Sequence, residues 1–584
     1  MEHKTLIYRL FPFVLWLPEL RRWQVLRADI VAGVTVALIL IPQSMAYAKL
    51  ADLPPVYGLY AAFLPPIIAV LFGSSRHLVT GPVATASLIS AATLQATALG
   101  DPSVYIAHSI LLALLVGLLR LALGILRLGM LVNLLSNPVL VGFTNAAALI
   151  ICTSQLHHLF GVEIDKGHYH FQTVQHLVIA VADQTHWPTA GMAALAAAIL
   201  LFLRYKFKKL PHVLFAVVLT TLVSWLTGFD GKVVGEIPQG LPAFAVPAVD
   251  LVILPHLLTG AVVLTLIGLT ESMSIAKTIA ARTRQHIDVN QELIGQGLAN
   301  LVGSFFQSYS VSASFARSAV NYASGAVTGF SSIVCSLVVL LTLVFLTPLL
   351  YYLPLATLAV IIVGALLGLI RLEPIVTAWR VTPYDGLIAV ITFLCTLVLA
   401  PQLHWGILVG VFLSVALYLY RTMRPRVAYL ARHGDGTLRD ADIYGLKLDL
   451  RIALMRFDGR LYFGASSYFE DKVLEAVARL PELRYIVIDA GGINHIDASG
   501  EQILRQVIER LRAGGLDMYF SRVKPQIIEV LERTGAIDYI GRDHFFPWNQ
   551  HALEHLWEQM EPNYKARCPL NVATPDTKEG AWSI

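Results

Sequence analysis

The chain has 584 residues, 56% of them hydrophobic and only 14% charged, with a mean hydropathy of +0.65. Soluble domains carry about 25% charged residues, so composition excludes a wholly soluble protein, and a formal net charge of +4 over this length gives no basis for a nucleic-acid partner. Charge is sparse from about residue 29 to 420 and mixed thereafter, which divides the chain into a membrane part and a soluble part.

A basic N-terminal segment (1–28, with Arg21, Arg22 and Arg27) precedes the first apolar run, and no small-residue cleavage site follows it, so no secretory signal is expected. A spanning helix needs about 20 mostly apolar residues. Segments of this kind lie at 29–48, 54–72, 82–98, 104–126, 137–156, 188–203, 211–228, 255–276, 291–306, 314–325, 326–348, 354–370, 384–400 and 403–420. The polar segment 172–186 reads as a connection, which leaves about fourteen spans within 29–425. Basic residues follow the even-numbered spans: Arg76; Arg127; Arg204, Lys206, Lys208 and Lys209; Arg282 and Arg284; Arg371 and Arg380; Arg421 and Arg424. Odd-numbered spans are followed only by Lys49, Lys166 and Lys232. Lys and Arg collect on the cytoplasmic side, so both termini are expected there. Cys152, Cys335, Cys395 and Cys568 form no close pair, which argues against a disulfide framework or a zinc site.

The first span carries I-P-Q-S-M-A-Y-A-K-L (41–50). Pro42 is expected to break the helix and turn Gln43 and Ser44 inward, where an amide can donate to an oxyanion without adding charge. The alternative is a kink with no contact to solute. Thr80-Gly81-Pro82 opens the third span, and the hydroxyl-rich run S-Y-S-V-S-A-S-F-A-R-S-A-V-N (308–321) opens the tenth, with Arg317 less than a turn after Ser314. Short, interrupted segments at matching places in two halves point to the site of an inverted-repeat transporter. Two half-helix N-termini would present free N–H groups and partial positive charge to an anion. The plainer possibility is that Gly-Pro and the serines only mark loops.

Charges within spans are functional candidates by default. Glu271, in L-T-L-I-G-L-T-E-S-M-S-I-A-K, is the clearest, a carboxyl able to carry a proton inward beside an anion, with Arg317 expected nearby. A fixed helix-to-helix ion pair is the structural alternative for both residues. Glu292 reads as a helix-start carboxylate, and Asp29, Lys49, Glu373 and Asp385 as solvated or snorkelling ends.

Five stretches match one family in order: D-I-V-A-G-V-T-V-A-L-I-L-I-P-Q-S-M-A-Y-A (29–48), P-P-V-Y-G-L-Y (54–60), G-S-S-R-H-L-V-T-G-P-V-A (73–84), G-L-T-E-S-M-S-I-A-K (268–277) and N-Q-E-L-I-G-Q-G-L-A-N (290–300). Over roughly 10–555 the chain resembles the SulP (sulfate permease) family of anion transporters, which includes solute carrier family 26. The resemblance implies an α-helical membrane protein of fourteen spans in two inverted repeats of seven, like the nucleobase transporters, with a core domain moving against a gate domain. It places the anion near Gln43, Tyr47, Val83, Ala84, Ser314, Phe315, Ala316 and Arg317, with Glu271 facing the same cavity. Many relatives have an aromatic where this chain has Val83, and Ser or Gly where it has Ala316, so substrate geometry does not carry over.

Beyond Arg421 the composition is soluble. Residues 426–440 read as a linker, Arg451–Phe457 and Arg484–Asp489 as strands, and Ser466–Leu480, Ser499–Ala513 and Lys524–Gly535 as helices. This small α/β pattern over 441–556, with I-D-A-S-G (496–500) at a strand-to-helix turn, resembles a STAS domain, related to anti-sigma factor antagonists. The resemblance makes Ser499 a possible regulatory phosphosite; the alternative is that Ser499 caps the helix beside Asp497. Residues 557–584 read as a disordered tail. No nucleophile–base pair, metal-ligand spacing or phosphate loop is present, so neither an enzyme nor a cofactor is expected.

The expected function is secondary active transport of an inorganic oxyanion, foremost sulfate with H+, by a homodimer in a bacterial inner membrane, with lipid around it and cytoplasmic regulators acting on the STAS domain. A sodium-dependent bicarbonate carrier or an anion exchanger is the alternative. A sensor that reports anion occupancy through the STAS domain is a third possibility. A nucleobase carrier is disfavoured, because Arg317 suits an anion.

Overall fold

The computed structural model describes residues 11–95, 101–130, 135–164, 170–206, 212–367, 370–400, 402–561 and 563–571. Lys166, Lys208 and Lys209 of the topology argument lie outside them. The chain forms two compact units that divide between Ser414 and Val415.

In the first unit the chain runs through α1 (Trp23–Leu50), α2 (Pro55–Phe72), the two-residue strand β1 (Thr80–Gly81), α3 (Ala84–Leu94), α4 (Pro102–Ile125), α5 (Asn137–Phe160), α6 (His170–Gln184), α7 (Trp187–Lys206) and α8 (His212–Thr227). A second series repeats this order: α9 (Leu254–Thr283), α10 (Val289–Ser304), β2 (Ser312–Ala313), α11 (Phe315–Ala323), α12 (Phe330–Leu341), α13 (Leu355–Leu367), α14 (Glu373–Val381), α15 (Pro383–Val398) and α16 (Leu403–Met423). Each of the fourteen expected spans is a helix. In both series the third is short and preceded by a strand, the mark of the two sevenfold inverted repeats. α6 and α14 occupy matching places as short connections, and α6 meets α7 at a bend of 109°.

Helices α1–α4 and α9–α12 form one packed layer, the core, and α5, α7, α8, α13 and α15 pack into another, the gate. Within the core, α4 and α10 approach closely because Gly117 and Gly297 face each other's backbone: a Cβ on Gly117 would lie 2.5 Å from the Leu301 nitrogen, and one on Gly297 2.6 Å from that of Leu121.

Two expectations fail here. Pro42 does not break the first span; α1 continues through it to Leu50, so Gln43 and Tyr47 are presented by an intact helix. Asp29 is no solvated end. It is fully buried and accepts from the Val327 amide (2.7 Å), the Thr328 amide (3.1 Å) and the Thr328 hydroxyl (2.5 Å), tying α1 to the turn before α12. Each such donor left unmet in the interior would cost about 1–3 kcal/mol.

The second unit is a six-stranded sheet in the order β4-β3-β5-β6-β7-β8. Its strands are β3 (Arg426–Arg432), β4 (Leu438–Asp440), β5 (Ile452–Asp458), β6 (Tyr485–Asp489), β7 (Asp517–Ser521) and β8 (Phe545–Phe546). β5 to β8 run parallel, and β3 is antiparallel to β4 and β5. Residues 426–440, expected as a linker, therefore supply two strands. Alternation sorts the side chains. Met455, Phe457, Ile486 and Ile488 face the helices α18 (Phe463–Arg479), α19 (Ala498–Ala513), α20 (Pro525–Arg533) and α21 (Ala536–Ile540). Leu454, Val487 and Tyr519 face α22 (Asn549–Glu558) and the chain after it. One further short helix, α17 (Ala441–Tyr444), joins β4 to β5. Coverage on both faces is why β6 reads as the unbroken Y-I-V-I-D.

Of the expected disordered tail, residues 557–561 and 563–571 are ordered, and 572–584 lie outside the described residues. Helix α23 (Tyr564–Arg567) packs back on the sheet, with Cys568 and Leu570 buried. The Asp449 carboxylate accepts from the Tyr564 hydroxyl at 2.5 Å and from the Cys568 thiol at 3.1 Å. Burial and this carboxylate push the Cys568 thiol up to about 12. Cys568 is therefore expected to alkylate with iodoacetamide at pH 8 about tenfold or more slowly than a free thiol, and Asp449→Ala to speed the reaction; mass spectrometry of the time course checks both.

Candidate functional site

Each interrupted span enters the membrane interior as a strand and turns into a helix. β1 and β2 pair antiparallel, Thr80 with Ala313 and Gly81 with Ser312. The Ser314 amide donates to the Val79 carbonyl at 3.0 Å, and the Ser318 hydroxyl accepts from the Val79 amide at 2.9 Å. From this ladder α3 and α11 depart, so their N-termini meet across it.

The ladder is held by α10. Glu292, Gln296 and Asn300 recur every four residues and share one face of that helix. Glu292, buried, accepts from the amides of Ser74 (2.9 Å) and Ser75 (3.0 Å), where the expectation of a helix-start carboxylate is met by a first-turn position. Gln296 donates to the Thr80 hydroxyl at 2.7 Å. Asn300 accepts from the Val311 amide (2.9 Å) and donates to its carbonyl (3.1 Å), acting as a one-residue strand partner. The motif N-Q-E-L-I-G-Q-G-L-A-N is thus the scaffold of the site rather than its contact surface.

At α3 the cap residue Val83 gives no side-chain acceptor, and Ser87 is the residue that closes the first turn, onto the Val83 carbonyl. The first-turn N–H groups, Ala84 to Ala86, have no intrahelical acceptor. At α11 Ser314 caps: its hydroxyl accepts from the Arg317 amide at 3.4 Å, leaving the amides of Phe315 and Ala316 at the tip. Both tips open on a cavity of about 670 Å³ between core and gate. Gln43, Tyr47, Val83, Ala84, Glu271, Ser314, Phe315 and Ala316 all line it, so the structure brings together eight of the nine residues expected. The polar wall comes from core helices; the gate contributes mainly leucines, valines and alanines of α5, α7, α8 and α13, with His212.

Arg317 is the ninth, and its side chain is not on that wall. It is 1% exposed, packed behind Gly81, with Nη2 3.4 Å from where a Gly81 Cβ would stand. Its nitrogens Nε, Nη1 and Nη2 have no hydrogen-bond partner among the described residues. The groups that act on it electrostatically are the Tyr47 and Tyr309 hydroxyls and the Cys335 thiol, none of them a carboxylate. The expected pairing of Arg317 with Glu271 is not seen: among the described residues no ion pair joins them. Glu271 accepts from the Thr85 hydroxyl at 3.1 Å, and its cationic neighbour is Arg120 of α4. The rule that selects Glu271, an ionisable residue in an apolar run, selects Arg120 in L-L-R-L-A-L-G as well; its nearness to Arg127 makes it read as a cytoplasmic end.

In the second unit Ser499 does not cap α19. Asp497 does, accepting from the Gly500 amide at 2.8 Å, and Ser499 stands exposed two residues further on.

The sulfate permease family profile matches residues 26–392, and the STAS domain profile matches 446–552. The chain belongs to the sulfate permease family. Its members are multi-pass membrane transporters, not enzymes. This family member is 34% identical over 563 residues to "Sulfate transporter 4.1, chloroplastic" of Arabidopsis thaliana, covering 92% of this chain and 81% of that one. It is 32% identical over 550 residues to "High affinity sulfate transporter 2" of Stylosanthes hamata, covering 89% and 82%. Murine solute carrier 26 family member A9, solved as an anion transporter in the inward-facing state, shares the fold with a TM-score of 0.86 at 24% identity, over 95% of each chain. The transmembrane domain of the cyanobacterium bicarbonate transporter BicA aligns with a TM-score of 0.57 at 25% identity, over 68% of this chain and 98% of that one.

Proposed function

We propose that the protein is a secondary active transporter of inorganic oxyanions, with sulfate–proton symport by an elevator-type movement of core against gate as its mechanism. The observation that carries the reading is Arg317: a guanidinium fully removed from water, without a hydrogen-bond partner or counter-ion among the described residues, directly behind two opposed helix tips. A buried unpaired cation is costly, and an anion at the shared tips offsets that cost while accepting from amides whose dipoles already favour it. Gln43 and Ser314 add neutral donors, and Val83 and Ala316 leave room for a tetrahedral solute. Sulfate is favoured over other anions by the names of the plant relatives. Placement of all but His212 of the polar wall on the core supports a core that carries solute past a largely apolar gate. Glu271, on the same cavity, is the proton-coupling group. The basic loops after even spans support cytoplasmic termini. The reading includes a homodimer in a bacterial inner membrane, and Ser499, exposed, as the phosphosite through which a cytoplasmic regulator acts on the STAS domain.

Sodium-dependent bicarbonate transport is the second reading, favoured by the likeness to BicA and by the hydroxyls of Thr85, Thr270 and Ser274 near Glu271; anion exchange is a variant of it. Radiolabelled uptake into proteoliposomes separates them. An inward proton gradient without sodium is expected to drive sulfate above equilibrium; accumulation that requires sodium, or a trans anion, would replace the first reading with one of these.

A further inference from the structure

Arg120 is, with Arg317, one of two fully buried arginines among the described residues of the first unit, 1% exposed on α4, and it takes no part in the cavity wall described above. Its terminal nitrogens reach two carbonyls distant in sequence. Nη1 donates to Val311 at 3.0 Å, and Nη2 donates to Leu264 at 3.0 Å. Val311 leads into β2 and so into the α11 tip, whereas Leu264 lies two turns before Glu271 on α9. The guanidinium therefore joins the helix that bears the carboxyl to the segment that bears the anion site.

Space for it is cut into α9. A Cβ on Gly268 would stand 2.0 Å from Arg120 Nη2 and 2.8 Å from the Ser312 hydroxyl, so any larger residue displaces the cation. Gly268 is three residues before Glu271, on the same face of the helix. Carbonyls satisfy donors but carry no net charge, and Nε has no partner among the described residues. The acid that answers Arg120 through space is Glu271.

The elements packed against α9 are α3, α4, α11 and β2. α3 presents Thr85 to Glu271, and β2 holds only Ser312 and Ala313. α11 holds Arg317, whose electrostatic partners are Tyr47, Tyr309 and Cys335. That leaves Arg120, from α4, as the charge facing Glu271 from these elements.

We propose that Arg120 is a positioning residue for proton coupling: a fixed positive counter-charge, seated in the Gly268 notch, that sets the pH at which Glu271 gives up its proton. This rests on the reading of Glu271 as the proton-carrying group. Loss of the cation leaves the deprotonated carboxylate unanswered, so the protonated form that uptake requires persists to higher pH.

The test is the pH profile of sulfate uptake in proteoliposomes by full-length wild type, Arg120→Gln, Arg120→Lys and Glu271→Gln. Arg120→Gln is expected to move the pH of half-maximal uptake up by about one unit, Arg120→Lys to leave it in place, and Glu271→Gln to flatten the profile. A flat Glu271→Gln profile with an unmoved Arg120→Gln midpoint overturns the role of Arg120 alone. A Glu271→Gln profile like that of wild type overturns the reading beneath it. Should Arg120→Gln fail to give a monodisperse protein, Gly268→Ala, which shifts the guanidinium but keeps its charge, is expected to move the midpoint upward; an unmoved midpoint there overturns the proposal.

Discussion

Arg317→Gln is expected to reduce sulfate uptake by about 100-fold, the loss of about 2.7 kcal/mol of interaction, while leaving thermal stability unchanged or raised. The second half of that outcome decides between the two roles open to this residue. A clamp between helices loses its partners when truncated, and stability falls. Arg317 has no acceptor among the described residues and no carboxylate acting on it, so a neutral amide in its place removes a desolvated charge without orphaning anything. Uptake and a melting curve on the same preparation check it. Full uptake with a lower melting temperature would return Arg317 to the role of a clamp.

Glu271→Gln is expected to abolish concentrative uptake and its pH dependence together, while the protein still equilibrates sulfate. Gln imitates the protonated carboxyl and keeps a hydrogen bond to Thr85 available, so the core can still move with the anion but releases no proton. With the membrane potential clamped at zero, one coupled proton gives about tenfold accumulation per pH unit of gradient, since one unit is about 1.4 kcal/mol. For the wild type the sign is fixed: raising the external pH removes the protonated form and lowers uptake. The variant is expected to reach an accumulation ratio of about 1 at every pH tested, as one coupled proton no longer supplies that 1.4 kcal/mol per unit.

Much of the fold is written in local patterns. The apolar runs predict each of the fourteen helices, and the breaks at Thr80-Gly81-Pro82 and Ser310–Ser314 mark the two strands that meet, because irregular backbone at that depth is tolerated only where it is buried or lines a cavity. The cavity wall from Gln43 to Ala316 follows from those breaks together with the family motifs. What the sequence does not disclose is who pairs with whom. Asp29 lies at the start of an apolar run and reads as an end, yet its partners Val327 and Thr328 are about 300 residues away in sequence. Arg120 and Glu271 are likewise joined only by the packing of α4 on α9. Pro42 reads as a breaker because a soluble helix would be cut there, whereas neighbouring helices in a bundle hold the turn together. The tail after residue 557 is polar enough to pass for disorder. The buried Asp449 that gathers Tyr564 and Cys568 lies over 100 residues earlier.

The most direct measurement is a structure of the purified protein in lipid nanodiscs at saturating sulfate, with selenate as the heavier analogue. A tetrahedral density within hydrogen-bond reach of the amides at Thr85–Ala86 and Phe315–Ala316, on the cavity side of Arg317, is the predicted result. An anion seated elsewhere in transport-competent protein, or residues 80–84 and 312–317 drawn apart in the bound state, would contradict the account.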